Sequence, residues 1–364
     1  MDTSTPVSDQ KSVTCPNCGA SLAYKPGTTR LVCEHCGSSF DIKAETTAAD
    51  AQKENDLSIA LAGGSKAAQA QAYVVSCPAC GAQTALEKNL FSAQCAFCGS
   101  PITVQPDERA VANPQAVLPF KIEKQAAAAG FNKWLRRLWF APNNLKKTAS
   151  SDRFSGVYLP FWTFDADTES AYRGERGDHY TETVRRVVNG REETQRVVRT
   201  RWSSASGRVR RAFDDILITA SRALPDKYLN RLEPWDLAGL VPYDHRYLSG
   251  FKAEISQVDI KEGFDAAKQV MANTIQQDIR RDIGGDEQRI SSVSTQYADT
   301  TYKHILLPVW LSVFRYGSKV YRFAVNARTG EVLGERPYSA IKIALAVLAA
   351  LIILGVLIYF TGQH

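Results

Sequence analysis

No cysteine occurs after residue 98 of the 364, and histidine and methionine are nearly as scarce, with five and two in the whole chain. The five histidines (35, 179, 245, 304 and 364) are scattered, which leaves no cluster for a histidine-built metal enzyme. The GxSxG, HExxH and GxGxxG patterns are absent, and Gly63-Gly64-Ser65-Lys66 lacks the GxxxxGK[ST] spacing of a phosphate-binding loop. Asp165, Asp167, Asp178, Asp214, Asp215 and Asp286 are acids in turn-like settings that sequence does not bring together. The expectation is a chain that is not an enzyme, and no catalytic residue is nominated. Long apolar runs are missing everywhere except at the C-terminal end, which excludes a polytopic transporter. What remains is 44% apolar and 23% charged, the balance of a folded protein with room for two or three domains.

The eight cysteines form four CxxC pairs: Cys15/Cys18, Cys33/Cys36, Cys77/Cys80 and Cys95/Cys98. Adding 62 to each number of the first set gives the second. The flanks repeat too, Cys15-Pro-Asn-Cys-Gly-Ala against Cys77-Pro-Ala-Cys-Gly-Ala and Cys36-Gly-Ser against Cys98-Gly-Ser. One small module is therefore present twice. Two thiolates three positions apart in a tight turn reach one ion, and two such turns close a tetrahedral four-thiolate site. The pattern predicts two zinc ribbons, residues 11–42 and 73–105, each with one structural Zn2+; rubredoxin-like iron uses the same ligands. Disulfides are disfavoured because no secretory signal precedes these residues. Leu22, Tyr24, Leu31, Val32 and Phe40 are nearly all the core that the first module has, so metal would supply most of its folding free energy.

The formal charge is 44 − 38 = +6. Two filled four-thiolate sites, each −2, would bring it to about +2, so overall basicity is no argument for nucleic acid.

Ile343 to Phe360 is an uncharged 18-residue run, about 27 Å as a helix and close to the thickness of a bilayer's hydrocarbon layer. It predicts a single C-terminal transmembrane helix over 341–361, with Tyr359 and Phe360 at the interfacial level. Arg336 and Lys342 precede it, and no Lys or Arg follows, which places the N-terminal body in the cytoplasm.

Residues 1–10 are expected to be disordered, and residues 43–72, rich in Ala, Gln and Lys, to be a flexible linker. Residues 116–337 have the pattern of a packed α+β domain with an internal duplication. Val117-Leu118-Pro119-Phe120 recurs as Leu240-Val241-Pro242-Tyr243, and Leu159-Pro160-Phe161-Trp162 as Leu307-Pro308-Val309-Trp310. A helix is expected between the members of each set, Lys124 to Leu138 in one half. In the other, Asp259 and Glu262 look like a capping box, Ile260, Phe264, Ala267, Met271, Ile275 and Ile279 follow helical spacing, and Gly284-Gly285 ends the run. Tyr321 to Val332 reads as strand, turn at Gly330, strand.

Between the halves, residues 173–211 hold eleven Arg and no Lys against five acids. Asn189-Gly190 predicts a two-residue hairpin turn that sets Arg186 opposite Glu193. A solvated hairpin with interleaved charge is the plainer reading. The other is a phosphate-binding ribbon for lipid headgroups or nucleic acid, carried by Arg185, Arg186, Arg196, Arg199 and Arg201.

The repeated CPxCGA, the stretches YLPFWTFDADTESAYRGERGDHY, RWSSASGRVRRAFDDILITAS, LEPWDLAGLVPYDHRYLSGF and HILLPVWLSVFRYGSKVYRFAVNARTGEVLGERP, and the final apolar run together resemble a family of bacterial membrane-anchored tandem zinc-ribbon proteins. The resemblance covers nearly the whole chain. It implies a cytosolic docking partner, held at the inner membrane, for flotillin-like SPFH proteins and phage-shock-type membrane-stress systems. Some relatives carry the label primosomal protein N′, a replication-restart helicase. The expected function is thus a non-enzymatic adaptor that recruits protein partners to the inner membrane. The alternatives are a membrane-tethered nucleic-acid-binding protein or an enzyme whose pocket sequence does not reveal.

Overall fold

The structure, a computed structural model, describes residues 13–43, 47–62, 69–85, 92–103, 107–141, 154–188, 191–224, 231–316, 319–335 and 338–361. The expected disorder over residues 1–10, the Gly63-Gly64 break and the Asn189-Gly190 turn lie outside them. The chain is mixed α/β and mostly sheet.

Three long strands organise it: β1 (Phe154–Val188), β2 (Arg191–Thr219) and β3 (Glu287–Tyr316), with β4 (Lys319–Asn326) pairing back on β3. β1 is central, antiparallel to β2 on one side and to β3 on the other. The two Leu-Pro motifs meet in it, Leu159 lying opposite Leu307 and Tyr158 opposite Pro308. Two short strands run parallel to this pair, 116–117 beside β3 and 252–254 beside β1. The strand 116–117 also pairs with 241–242, so the other two similar motifs touch as well.

Alternation decides the faces of the sheet. Val157, Leu159 and Phe161 of β1 pack with Ile305, Leu307 and Val309 of β3, while Trp162, Phe164 and Tyr172 on the opposite face meet a helix. That helix is α2 (Ile260–Ile283); α1 (Lys124–Arg137) precedes β1, and α3 (Ala340–Thr361) follows the sheet. α2 buries Ala267, Met271, Ile275, Ile279 and Ile283 at the expected spacing. Its start differs from a full capping box. The Asp259 carboxylate accepts from the Glu262 amide at 2.8 Å, but the Glu262 carboxylate turns outward to the Arg222 guanidinium at 2.7 Å. α1 buries Phe131 and Leu135, and Phe131 meets Phe154 and Phe323 edge-on or tilted. The turn before Gly330 has φ of 81° there, as expected.

The segment 43–72 is not a free linker in its described parts. Leu57 is fully buried beneath α2 and the sheet, and Asn55–Asp56 pairs with Thr301–Tyr302 of β3. Its composition looked like that of a linker because Leu57 is its one large buried apolar side chain among the described residues. The rest of the attachment is backbone pairing, Ala51 and polar contacts such as Glu54 with Lys303 and Gln52 with the Leu237 carbonyl.

Candidate metal centres and the apolar helix

Each cysteine set is built from two copies of one backbone turn. In the first set, the Gly19 amide donates to the Cys15 carbonyl at 2.8 Å and the Cys15 amide to the Ala20 carbonyl at 2.7 Å. The pattern recurs at Cys33 with Gly37 and Ser38, at Cys77 with Gly81 and Ala82, and at Cys95 with Gly99 and Ser100. The four glycines have φ of 75°, 74°, 74° and 71°. A side chain added at Gly19, Gly37 or Gly81 would meet nothing within 4 Å, so what these positions require is the left-handed backbone, not space. Gly81→Ala should therefore cost about 1–2 kcal/mol of stability in the metal-loaded protein, and Gly81→Asn clearly less. Equal losses for the two variants in thermal melts would contradict that account.

The thiols converge. Cys15 and Cys36 lie 3.6 Å apart, Cys18 and Cys33 3.5 Å, Cys77 and Cys98 3.6 Å, and Cys80 and Cys95 3.7 Å. All four sulfurs of each set lie within 4.8 Å of one another. A tetrahedral zinc with bonds of about 2.3 Å has sulfur–sulfur edges of roughly 3.8 Å, whereas a disulfide requires about 2.05 Å. The donor set and the spacing thus suit a metal ion such as zinc and are too wide for disulfides. His35, between Cys33 and Cys36, is exposed and outside the group.

Hydrogen bonds behind the ligands follow the Cys-Gly-Ser repeat. The Ser38 hydroxyl lies 3.2 Å from the Cys36 sulfur and, with the Ser38 amide, pushes that thiol down to about 6. At Cys98 burial acts upward, but hydrogen bonds from the Ser100 hydroxyl and amide, together with those from Cys77 and Cys80, bring the thiol down to about 7. Both serines favour the thiolate that a metal needs.

The clusters differ in how deeply they are set. Cys18 and Cys36 are exposed, while Cys77, Cys95 and Cys98 are buried and Cys80 half-buried. The first module keeps its own three-stranded sheet and docks on the body. The Tyr24 amide donates to the Ser249 carbonyl at 2.9 Å, and the buried Tyr24 hydroxyl donates to the Thr28 carbonyl at 2.7 Å and lies 3.2 Å from the Phe120 carbonyl. The second is stitched into the main sheet, since its strand Gln83–Ala85 pairs with 252–254. Phe97 is almost fully buried among Leu311 and Ala324, and its carbonyl accepts from the Arg322 guanidinium at 2.9 Å. Neither module hangs free, because Tyr24 and Phe97 find in the body the apolar partners that a module of this size lacks.

The five arginines singled out are not brought together. β1 and β2 continue past Gly177, the last residue of β1 paired with β3, as a two-stranded hairpin about 35 Å long. Arg186 lies opposite Glu193 as expected. Arg199 pairs with Glu182, and Arg201 stacks over the Tyr180 ring at 5.2 Å. Arg185 and Arg196, both exposed, fall on the other face by strand alternation. Further back, Arg208 and Arg210 share Glu169, and Arg211 pairs with Asp278. Ion pairs thus engage Arg176, Arg199, Arg208, Arg210 and Arg211.

One cluster escaped the sequence reading. β2 and β3 each carry an extra residue where they flank Asp165, with positive φ at Asp215 (51°) and Asp299 (46°). The paired irregularities gather Glu54, Asp165, Asp214 and Asp215 within 4.8 Å. The Lys303 ammonium, 2% exposed, sits among them at 2.9 Å from Glu54 and 2.9 Å from Asp215. The Thr301 hydroxyl lies 2.6 Å from Glu54 and 2.9 Å from Asp165. One hydroxyl proton serves two carboxylates poorly, which favours retention of a proton by one of them. Burial and the neighbouring Glu54 push Asp165 up to about 7. Burial also acts upward on Glu54, but hydrogen bonds from Asp165, Thr301 and Lys303 bring it down to about 2. The sequence signal was an aromatic residue followed closely by Asp in three strands: Phe164-Asp165, Phe213-Asp214-Asp215 and Tyr297-Ala-Asp299.

α3 has 22 residues, a mean hydropathy of 3.0 in its most apolar window and no buried residue. It is long and apolar enough to cross a membrane.

No family model matches the chain, and no solved structure matches it. It is similar to a curated protein of Bacillus subtilis (strain 168), the uncharacterized protein YdjG, at 28% identity over 234 residues. The aligned part covers 64% of this chain and 66% of that protein's length.

Proposed function

We propose that this protein is a non-enzymatic adaptor of the bacterial inner membrane, with two structural zinc ribbons displayed on a duplicated α+β body and α3 as a single-pass anchor. The observation that carries the reading is the fusion of the two four-thiolate clusters to a body whose chain ends in a wholly exposed apolar helix. Closed four-thiolate sites stabilise surfaces and leave no ligand position for substrate, which suits recognition better than chemistry. The facing of Leu159 with Leu307, and of 116–117 with 241–242, supports the duplication. The paired state of Arg199, Arg208, Arg210 and Arg211 speaks against a nucleic-acid ribbon. Protein partners at the membrane, of SPFH or membrane-stress type, are the occupants proposed.

The test is affinity capture of the full chain from detergent-solubilised membranes, with and without nuclease, and with zinc measured in both samples. Two zinc ions per chain and a co-purifying membrane protein that survives nuclease are expected. Material held only through nuclease-sensitive nucleic acid would overturn the adaptor reading.

A further inference from the structure

The corner that follows α1 is unusual in what it exposes. Leu138 and Ala141 turn into the core, while Trp139 between them is 82% exposed and Phe140 39% exposed. An isolated exposed apolar side chain is ordinary, but a tryptophan and a phenylalanine adjacent on a tight corner are not. The corner is also fixed to one place. The Lys342 ammonium donates to the carbonyls of Trp139 (3.3 Å) and Ala141 (2.8 Å), and the Ser339 amide donates to the Phe140 carbonyl at 2.8 Å. Ser339 and Lys342 flank the first residues of α3, so Trp139 and Phe140 are held at the level where the apolar helix begins. Ile341 is 74% exposed and Tyr338 57% exposed at that same level. Basic groups stand beside them: Arg136 and Arg137, both exposed, occupy the last turn of α1.

An aromatic ring with a polar edge, flanked by arginines at the mouth of a spanning helix, has the chemistry of the bilayer's interfacial layer. The indole and phenyl rings suit the boundary between headgroups and acyl chains, and guanidinium groups suit anionic headgroups. Tyr359 and Phe360 stand near the other end of α3, so aromatic side chains mark both of its ends.

We propose that the Leu138–Ala141 corner, through Trp139, Phe140, Arg136 and Arg137, is a second membrane contact that seats in the interfacial layer of an anionic bilayer and fixes the orientation of the body on the membrane surface. The proposal rests on the reading of α3 as an anchor and goes beyond it. A lone helix tethers a body without orienting it, whereas a second contact point removes that freedom and sets which face of the cysteine modules points away from the lipid.

The test uses the full chain reconstituted into phosphatidylcholine–phosphatidylglycerol vesicles that carry bromine on acyl-chain carbons close to the headgroup. Bromine should quench part of the tryptophan emission, and Trp139→Phe should remove most of that quenching while leaving the circular dichroism unchanged. Arg136→Gln combined with Arg137→Gln should reduce the quenching in anionic vesicles and not in pure phosphatidylcholine. Equal quenching in wild type and Trp139→Phe would overturn the contact, and an unaltered response in the arginine variant would overturn its electrostatic half. Vesicle retention after an alkaline wash separates the two levels. A wild-type chain that is retained without Trp139 quenching refutes the second contact alone. A chain that is washed off refutes the anchor, and the contact falls with it.

Discussion

Cys95→Ser should lower the melting temperature of the whole body, while Cys18→Ser should have a much smaller effect. A closed four-thiolate zinc site supplies on the order of 10 kcal/mol or more of folding free energy, comparable with the roughly 5–15 kcal/mol that holds an ordinary domain. What matters is how much of that energy reaches the rest of the molecule. Cys95, Phe97 and Cys98 share one apolar cluster with Leu307, Val309, Leu311 and Ala324 of the central sheet. Lys252 donates to the Gln94 carbonyl at 2.7 Å, and Arg322 donates to the Phe97 carbonyl. Opening the second cluster withdraws those contacts together. A loss of several kcal/mol, on the order of 10 °C, is expected in thermal melts of the full chain. Cys18 is exposed, in a turn of the module that keeps its own three-stranded sheet, so its loss should be felt mainly where Tyr24 docks beside Phe120 and Tyr247. Hydrogen exchange locates the damage. Protection in Cys95→Ser should fall across 252–254 and 305–326 as well as around the cysteines. Loss confined to residues 73–105 would show the module to be energetically independent.

The contrast between the two modules also shows how far sequence alone reaches. The four CxxC turns were readable because the chemistry is local: each needs two cysteines and a glycine at fixed spacing, and neighbours in space add nothing. α2 was readable for a similar reason, its apolar stripe and its Asp259 and Gly284 ends all being properties of one segment. The docking of Tyr24 and Phe97 was not, because their partners lie about 96 and 225 residues away. A short apolar list in a small module says that partners are needed without saying where they are. The arginine hairpin was legible only in part, its interleaved charge being readable and its longer-range ion pairs not. Its charge was counted along the chain, whereas the ion pairs that neutralise it, such as Arg211 with Asp278, form across it. The acidic cluster around Lys303 was least accessible of all, since it needs three strands, two facing bulges and a carboxylate from the segment that resembled a linker.

That cluster carries the second large effect. Lys303→Met keeps most of the apolar stem and removes the ammonium, leaving Glu54 and Asp215 without their shared cation in a site where the lysine is 2% exposed. Removing one partner of a fully buried ionic group costs about 3–5 kcal/mol. Glu54 and Asp215 are 29% and 26% exposed, so screening brings the expected loss to about 2–3 kcal/mol. The pH dependence gives the signature. Glu54 is held at about 2 on folding, below its ordinary 4.5, so it contributes stability that is present above about pH 4.5 and is lost as pH falls toward 2. Without Lys303 its folded-state value should rise and that contribution shrink. The deficit should therefore stand in full above about pH 5 and shrink as pH falls from 4.5 toward 2. Asp165 contributes with the opposite sign in wild type: it moves from 3.8 to about 7 on folding, so its stabilisation is fully present below about 3.8 and is lost as pH rises through 7. Asp165→Asn should flatten the fall in melting temperature over that range, because an amide replaces the carboxyl's retained proton permanently. Both variants are measured as full-length protein in detergent micelles by thermal unfolding. A Lys303→Met deficit under about 1 kcal/mol, the size of a surface ion pair, with no dependence on pH, would mean that the cluster is open to water and that its charges are screened.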